Sequence, residues 1–185
     1  MDHLAIKHGD DAIAQRASLR KLTPKNAIIV EIGSYVGITA ISLLGDDRKI
    51  FCIDPWSDEK YASAGGGEYN RGWLIVFSTF CQNCGNNLFT NIFPIRCKSE
   101  EIAPYFNLPI DLIYVDGNHI YEAVVQDIKL WWPKIKIGGY MVFDDYGSPA
   151  FGVTQAVDKY LPDAIVPFFG HKMIQKTELN KDLND

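Results

Sequence analysis

No segment of this chain is long and apolar enough to cross a bilayer, and nothing in its opening stretch resembles the hydrophobic core of a secretory signal. A cytoplasmic protein with no membrane partner is the expectation. Cysteine is sparse, with four residues at 52, 81, 84 and 97. Cys81 and Cys84 form a lone C-x-x-C, a spacing compatible with zinc or redox work. A closed structural zinc site needs about four ligands, and no second pair is present. Plain thiols in a reducing compartment are therefore the favoured reading. Excess positive charge is also missing: the formal net charge is −5. A general nucleic-acid binder carries a basic stripe, so no nucleic-acid partner is expected. There is no internal repeat, no low-complexity block and no G-x-G-x-x-G, and the last absence removes the main support for a nicotinamide-dependent enzyme.

What is present points to one α/β domain spanning 1–185. Apolar residues are 47% of the 185, enough to bury a full core. The runs at 27–32, 50–53, 110–115 and 140–143 are nearly continuous in apolar residues, as strands covered on both faces are. Helical patterns alternate with them, which is the signature of a mostly parallel sheet between helices. Val36 to Leu44 reads as a buried helix. Ile120, Val124, Ile128 and Trp131 recur at helical spacing before Pro133, and Val153, Ala156, Val157 and Tyr160 form another stripe. Ser148 and Pro149 are the expected N-cap and first residue of that last helix. Residues 1–24 suggest one helix around Asp10–Lys21 with a thin stripe. The insertion 57–91 holds a glycine run at 65–67 and then an amphipathic helix, and reads either as a plain crossover or as a lid over a ligand. Trp56, Tyr61, Tyr69 and Trp73 serve there in packing or in lining a pocket. The polar tail, 177–185, is expected to fray.

Three groups of residues carry chemistry. Glu31, Gly33, Ser34 and Gly37 lie where the first strand turns into a helix, and glycine there permits close approach of backbone to ligand. An acidic residue before the turn repels a pyrophosphate and suits a cationic ligand with an amino group and a sulfonium. Asp54 closes the second strand at about the 20-residue distance at which a carboxylate takes ribose hydroxyls in nucleotide-binding folds. Asp116, Asn118 and His119 then close one strand, and Asp144 and Asp145 close another. If those strands are neighbours, their ends lie about 4.8 Å apart. The carboxylates then meet on one hard divalent ion such as Mg²⁺, with His119 as a candidate base. Asn118 as a helix cap and Asp145 as a turn residue are the plainer alternatives.

The segments EIGSYVG, CIDPW, YVDGNHIYEAVVQDI and GGYMVFDDY resemble the class I S-adenosylmethionine-dependent methyltransferases. The branch they look most like holds the metal-dependent sugar O-methyltransferases of antibiotic biosynthesis and the cephalosporin hydroxylase-like proteins. The resemblance runs from about Asn26 to Leu161. It implies a Rossmann-like three-layer sandwich with a seven-stranded sheet whose last strand is antiparallel, near Met173 to Lys176. It also implies that Glu31, Gly33, Ser34 and Gly37 hold the methionine part of S-adenosylmethionine, with Asp54 at its ribose and Ser99 near its adenine. Asp116 is implied at the cofactor and as a metal ligand, with Asp144 and Asp145 as the other two. Some members place an aspartate base where this chain has Asn118, and His119 matches members that use a histidine. The expected reaction is metal-assisted O-methylation of a small hydroxylated acceptor. A non-catalytic S-adenosylmethionine-binding or accessory domain and a nucleotide-dependent α/β oxidoreductase are the alternatives. The chain is shorter than many of these relatives, so a homo-oligomer that completes the acceptor pocket is a further expectation.

Overall fold

The computed structural model describes residues 10–45, 47–57 and 72–183. Six strands form one sheet in the order β3-β2-β1-β4-β5-β6. They are β1 (Ile28–Ile32), β2 (Lys49–Ile53), β3 (Ile92–Ile95), β4 (Ile110–Val115), β5 (Ile135–Phe143) and β6 (Lys172–Gln175). The first five are parallel, and β6 runs antiparallel to β5 with Met141 opposite Ile174. Strand order reverses between β1 and β4, and in open parallel sheets a ligand crevice opens beyond the carboxyl ends of the strands at that reversal. The architecture is the expected Rossmann-like one, with six strands among the described residues where seven were expected.

Every residue of β4 is buried, because the strand is central and covered on both faces. Helices α5 (Tyr121–Trp131) and α6 (Val153–Tyr160) pack on one face, around Trp131, Trp132, Phe143 and Val157. On the other face lie α1 (Asp10–Ser18), α2 (Ile38–Leu43) and α3 (Trp73–Cys84). Trp56 is fully buried there against the rings of Phe77 and Phe80, so its role is core packing. The glycine run with Tyr61 and Tyr69, and with it the lid reading, lies outside the described residues. No helix among the described residues is long and apolar enough to span a membrane.

Three local expectations change. Strand β3 carries Pro94, which removes a backbone donor and obscures the pattern; a proline is tolerated because β2 is the one named strand that β3 pairs with among the described residues. Helix α6 starts at Val153 after Gly152, while Ser148 and Pro149 belong to a turn closed by the Phe151 amide on the Ser148 carbonyl. The tail is pinned instead of loose, since the Trp132 indole donates to the Lys181 carbonyl at 3.0 Å and Leu183 packs on the core.

Candidate functional site

The turn after β1 is held by its neighbours on both sides. Gly33 has φ +85°, and a side chain there would strike the Asp116 carbonyl oxygen at 2.1 Å, so only glycine lets the turn lie against the end of β4. At Gly37, which opens α2, the corresponding space is filled by the Phe80 ring. Asp54 ties the turn to β2: its Oδ2 accepts from the Tyr35 amide at 2.9 Å and its Oδ1 from the Trp56 amide at 2.8 Å. The Ser34 amide is a third backbone donor to this carboxylate, so most of its capacity of about four acceptor sites is already used in holding the turn. Burial raises the Asp54 pKa, and the amides oppose that. Glu31 is 1% exposed under the turn, and burial pushes it up to about 8. The Cys52 thiol donates to its Oε2 at 3.4 Å. Ser34 Oγ is buried without a hydrogen-bond partner among the described residues. Its polar neighbours are the Glu31 carboxyl and the Cys52 thiol, and a polar ligand at the glycine turn would complete its hydrogen bonding.

Ser99, expected near the adenine, is committed elsewhere. Its hydroxyl donates to Asp127 and accepts from the Trp131 indole at 2.7 Å, tying the start of α4 (Ser99–Ile102) to α5. Burial pushes Asp127 up to about 7. This group is a structural tie.

At the ends of β4 and β5 the structure brings Asp116, His119 and Asp145 together. One ligand atom from each lies within 4.8 Å of the others. His119 Nε2 is 3.4 Å from both Asp116 Oδ1 and Asp145 Oδ2, and makes no aligned hydrogen bond. Burial alone would lower the His119 pKa; the Asp116 and Asp145 carboxylates outweigh it and hold the imidazole above its ordinary value. Burial pushes Asp116 up to about 7, with the nearby Asp144 charge adding to it. Asp145 sits at φ +56°, a left-handed conformation that aspartate tolerates better than most residues. The loop with His119 is fastened to the loop after β5 by Gly152, whose amide donates to the His119 carbonyl at 2.8 Å. Asn118 Oδ1 accepts from the Ile120 amide at 3.2 Å, an Asx-type turn in place of a helix cap.

Asp144, the third expected metal ligand, is not in this cluster. Its Oδ2 accepts from Arg16 Nη2 at 2.7 Å and from the Tyr114 hydroxyl at 2.9 Å, while Oδ1 accepts from the Asp145 amide at 2.9 Å and lies 3.1 Å from His171 Nε2. The physical reason is saturation: these four neighbours use the lone pairs a metal would need. Burial would raise the Asp144 pKa, but His171 and Arg16 outweigh it and hold the carboxylate below its ordinary value. Arg16, Tyr114 and His171 had gone unnoticed in the sequence. The one available signal was a cation in a helix with a thin apolar stripe, a position where a buried ion pair is one use for the charge.

Cys81 and Cys84 share α3 with no further ligand nearby among the described residues, and burial pushes the Cys84 thiol up to about 12.

Comparison with known proteins gives a family and a fold. Residues 30–146 match the profile of a methyltransferase domain family. Uncharacterized protein R132 of Acanthamoeba polyphaga mimivirus is 39% identical over 144 residues, 72% of this chain, and the chain spans 59% of that relative's length. The O-methyltransferase NovP superposes with a TM-score of 0.66 at 20% identity, over 92% of this chain and 81% of its own. CalS11, a calicheamicin methyltransferase, gives 0.64 at 15% identity, over 90% of this chain and 80% of its own. The two structures share the fold. The profile covers well over half the chain, from the second residue of β1's buried run through the Asp144–Asp145 pair, and on that match the chain belongs to the methyltransferase domain family.

Proposed function

We propose that the protein is an S-adenosylmethionine-dependent methyltransferase that acts on a hydroxyl group of a small molecule with the help of a divalent ion. The observation that carries the reading is the adjacency of two sets of residues. The turn at Gly33, with the buried Ser34 hydroxyl and the Asp54 carboxylate that fastens it, lies against the strand end that bears Asp116. The names of the superposing proteins, an O-methyltransferase and a calicheamicin methyltransferase, favour a small hydroxylated acceptor.

When bound, S-adenosylmethionine supplies an electrophilic methyl on its sulfonium, and a divalent ion supplies charge that acidifies and orients an acceptor hydroxyl. The chain's own residues do the rest. Glu31 and Ser34 offer the polar floor for an amino-acid moiety, and Asp54 orients a ribose. Asp116, His119 and Asp145 hold the ion. One imidazole with two carboxylates fits Mn²⁺ or another first-row ion at least as well as Mg²⁺, which prefers all-oxygen sets. Holding acceptor and methyl donor on one rigid wall supplies orientation, a large part of any such acceleration.

A second reading of His119 is favoured by the absence of a hydrogen bond at Nε2: the imidazole takes the proton of the acceptor hydroxyl. The dependence of rate on pH at saturating metal separates the two, because an imidazole held on the ion no longer titrates near neutrality whereas a free base does.

Isothermal titration of the purified protein with S-adenosylmethionine, with and without Mn²⁺ or Mg²⁺, tests the proposal. Micromolar binding is expected, followed by methyl transfer to a member of a panel of sugars and catechols. Absence of binding under every condition sinks the methyltransferase reading. Binding with no transfer to any hydroxylated acceptor favours a non-catalytic binding domain.

A further inference from the structure

Arg16 of α1 reaches the ends of the central strands. Only 6% exposed, it places Nη2 2.7 Å from Asp144 Oδ2 and Nε 3.0 Å from the Tyr114 hydroxyl. Its charge is felt by Glu31, Asp116 and Asp145 as well as by Asp144. The guanidinium is therefore a positive charge already lodged among the carboxylates that a divalent ion would share. Helix α1 itself rests on the outside of the fold against α2, where Ile13 and Ala17 meet Ile38 and Ile41 across a shallow groove.

We propose that Arg16 is a resident cation that withholds Asp144 from the divalent-ion site, so that docking of α1 and binding of the ion compete. The proposal rests on the reading that Asp116, His119 and Asp145 hold such an ion. Asp144 directly precedes Asp145, and its charge is already felt by Asp116, His119 and Asp145. What keeps it from the ion is the four-way saturation of its oxygens, and the Arg16 contact is the shortest of the four. Removal of Arg16 takes a like charge away from the ion and removes the shortest of the four contacts on Asp144, and both changes favour ion binding. Competition is reciprocal: an ion that gains from α1 release must itself promote that release.

The test is Mn²⁺ binding to the full chain, followed by the loss of the free Mn²⁺ electron paramagnetic resonance signal. Arg16→Gln is expected to bind at least tenfold more tightly than the unaltered protein, and Arg16→Lys, which keeps the charge, to bind as the unaltered protein does. A folded Arg16→Gln that binds equally or more weakly overturns the proposal. If the unaltered protein binds, Asp116→Asn abolishes that binding and Arg16→Gln changes nothing, the ion reading survives and this proposal does not. If neither the unaltered protein nor Arg16→Gln binds, both fall. Should Arg16→Gln fail to fold, hydrogen exchange of the unaltered protein decides: amides of Asp10–Ser18 exchange faster at saturating Mn²⁺, and unchanged or slower exchange overturns the proposal.

Discussion

At the end of β5 two consecutive aspartates meet different surroundings. Asp144 is buried in a polar clamp of Arg16, Tyr114 and His171, with both oxygens bonded, and its pKa is held down. Asp145 carries a side chain 43% exposed at the mouth, faces His119 at 3.4 Å, and has its pKa raised by burial that His119 only partly opposes. A carboxylate that needs its charge for the fold and one that is still free to bind something stand one residue apart. Sequence position alone is a poor guide to which acidic residue of a pair does chemistry; lone-pair occupancy is a better one.

The sharpest way to break this contrast is Asp144→Ala. It leaves Arg16 buried without its carboxylate, and stability should drop by about 3–5 kcal/mol, read from urea denaturation. A loss below about 1 kcal/mol would mean that the clamp is not structural. Next comes Gly152→Ala. A Cβ there would sit 2.4 Å from the Tyr121 amide nitrogen, so the loops bearing His119 and Asp145 must part, at about 2 kcal/mol and with weakened Mn²⁺ binding. Unaltered ion affinity would show that the two loops act independently.

The contrast extends to pH. Glu31 at about 8 and Asp127 at about 7 are raised by burial. The folded state therefore holds more protons than the unfolded one between about pH 4 and pH 8, and stability falls as pH climbs through that window. Asp144 has the opposite sign: its contribution is present above the ordinary aspartate value and is lost as pH falls through its lowered one. Denaturation midpoints should decline as pH rises from about 4 to 8, and Asp127→Asn should flatten the part of that decline below about pH 7. A decline just as steep in the variant would put its source elsewhere. The smallest expected effect is that of Asp145→Asn. Asparagine tolerates the left-handed backbone, so stability should stay within about 0.5 kcal/mol while Mn²⁺ affinity falls tenfold or more. A large destabilisation instead would erase the distinction between the two aspartates.

Legibility of the site in the sequence followed the range of the interactions. Strands β1, β2 and β4 and the last part of β5 were readable because burial on both faces demands continuous apolar runs. Asp116, His119 and Asp145 were readable because they sit at the ends of those runs. The clamp was not: Arg16 meets Asp144 across 128 residues and Tyr114 meets His171 across 57, and no local pattern encodes such pairings. For Ser99 the resemblance implied a place near the adenine, while its hydroxyl partners Asp127 and Trp131 come from a helix well downstream and were not legible locally. Gly152 likewise matters for the close pass of another loop.

The packing of Gly33 against the Asp116 carbonyl bears on how such a protein can change over generations. With 2.1 Å between an imagined methyl and that oxygen, the turn after β1 and the end of β4 have no play between them. A substitution that reshapes one necessarily displaces the other. On the proposed function, a change of acceptor that keeps the cofactor in place would have to come from loops away from this contact.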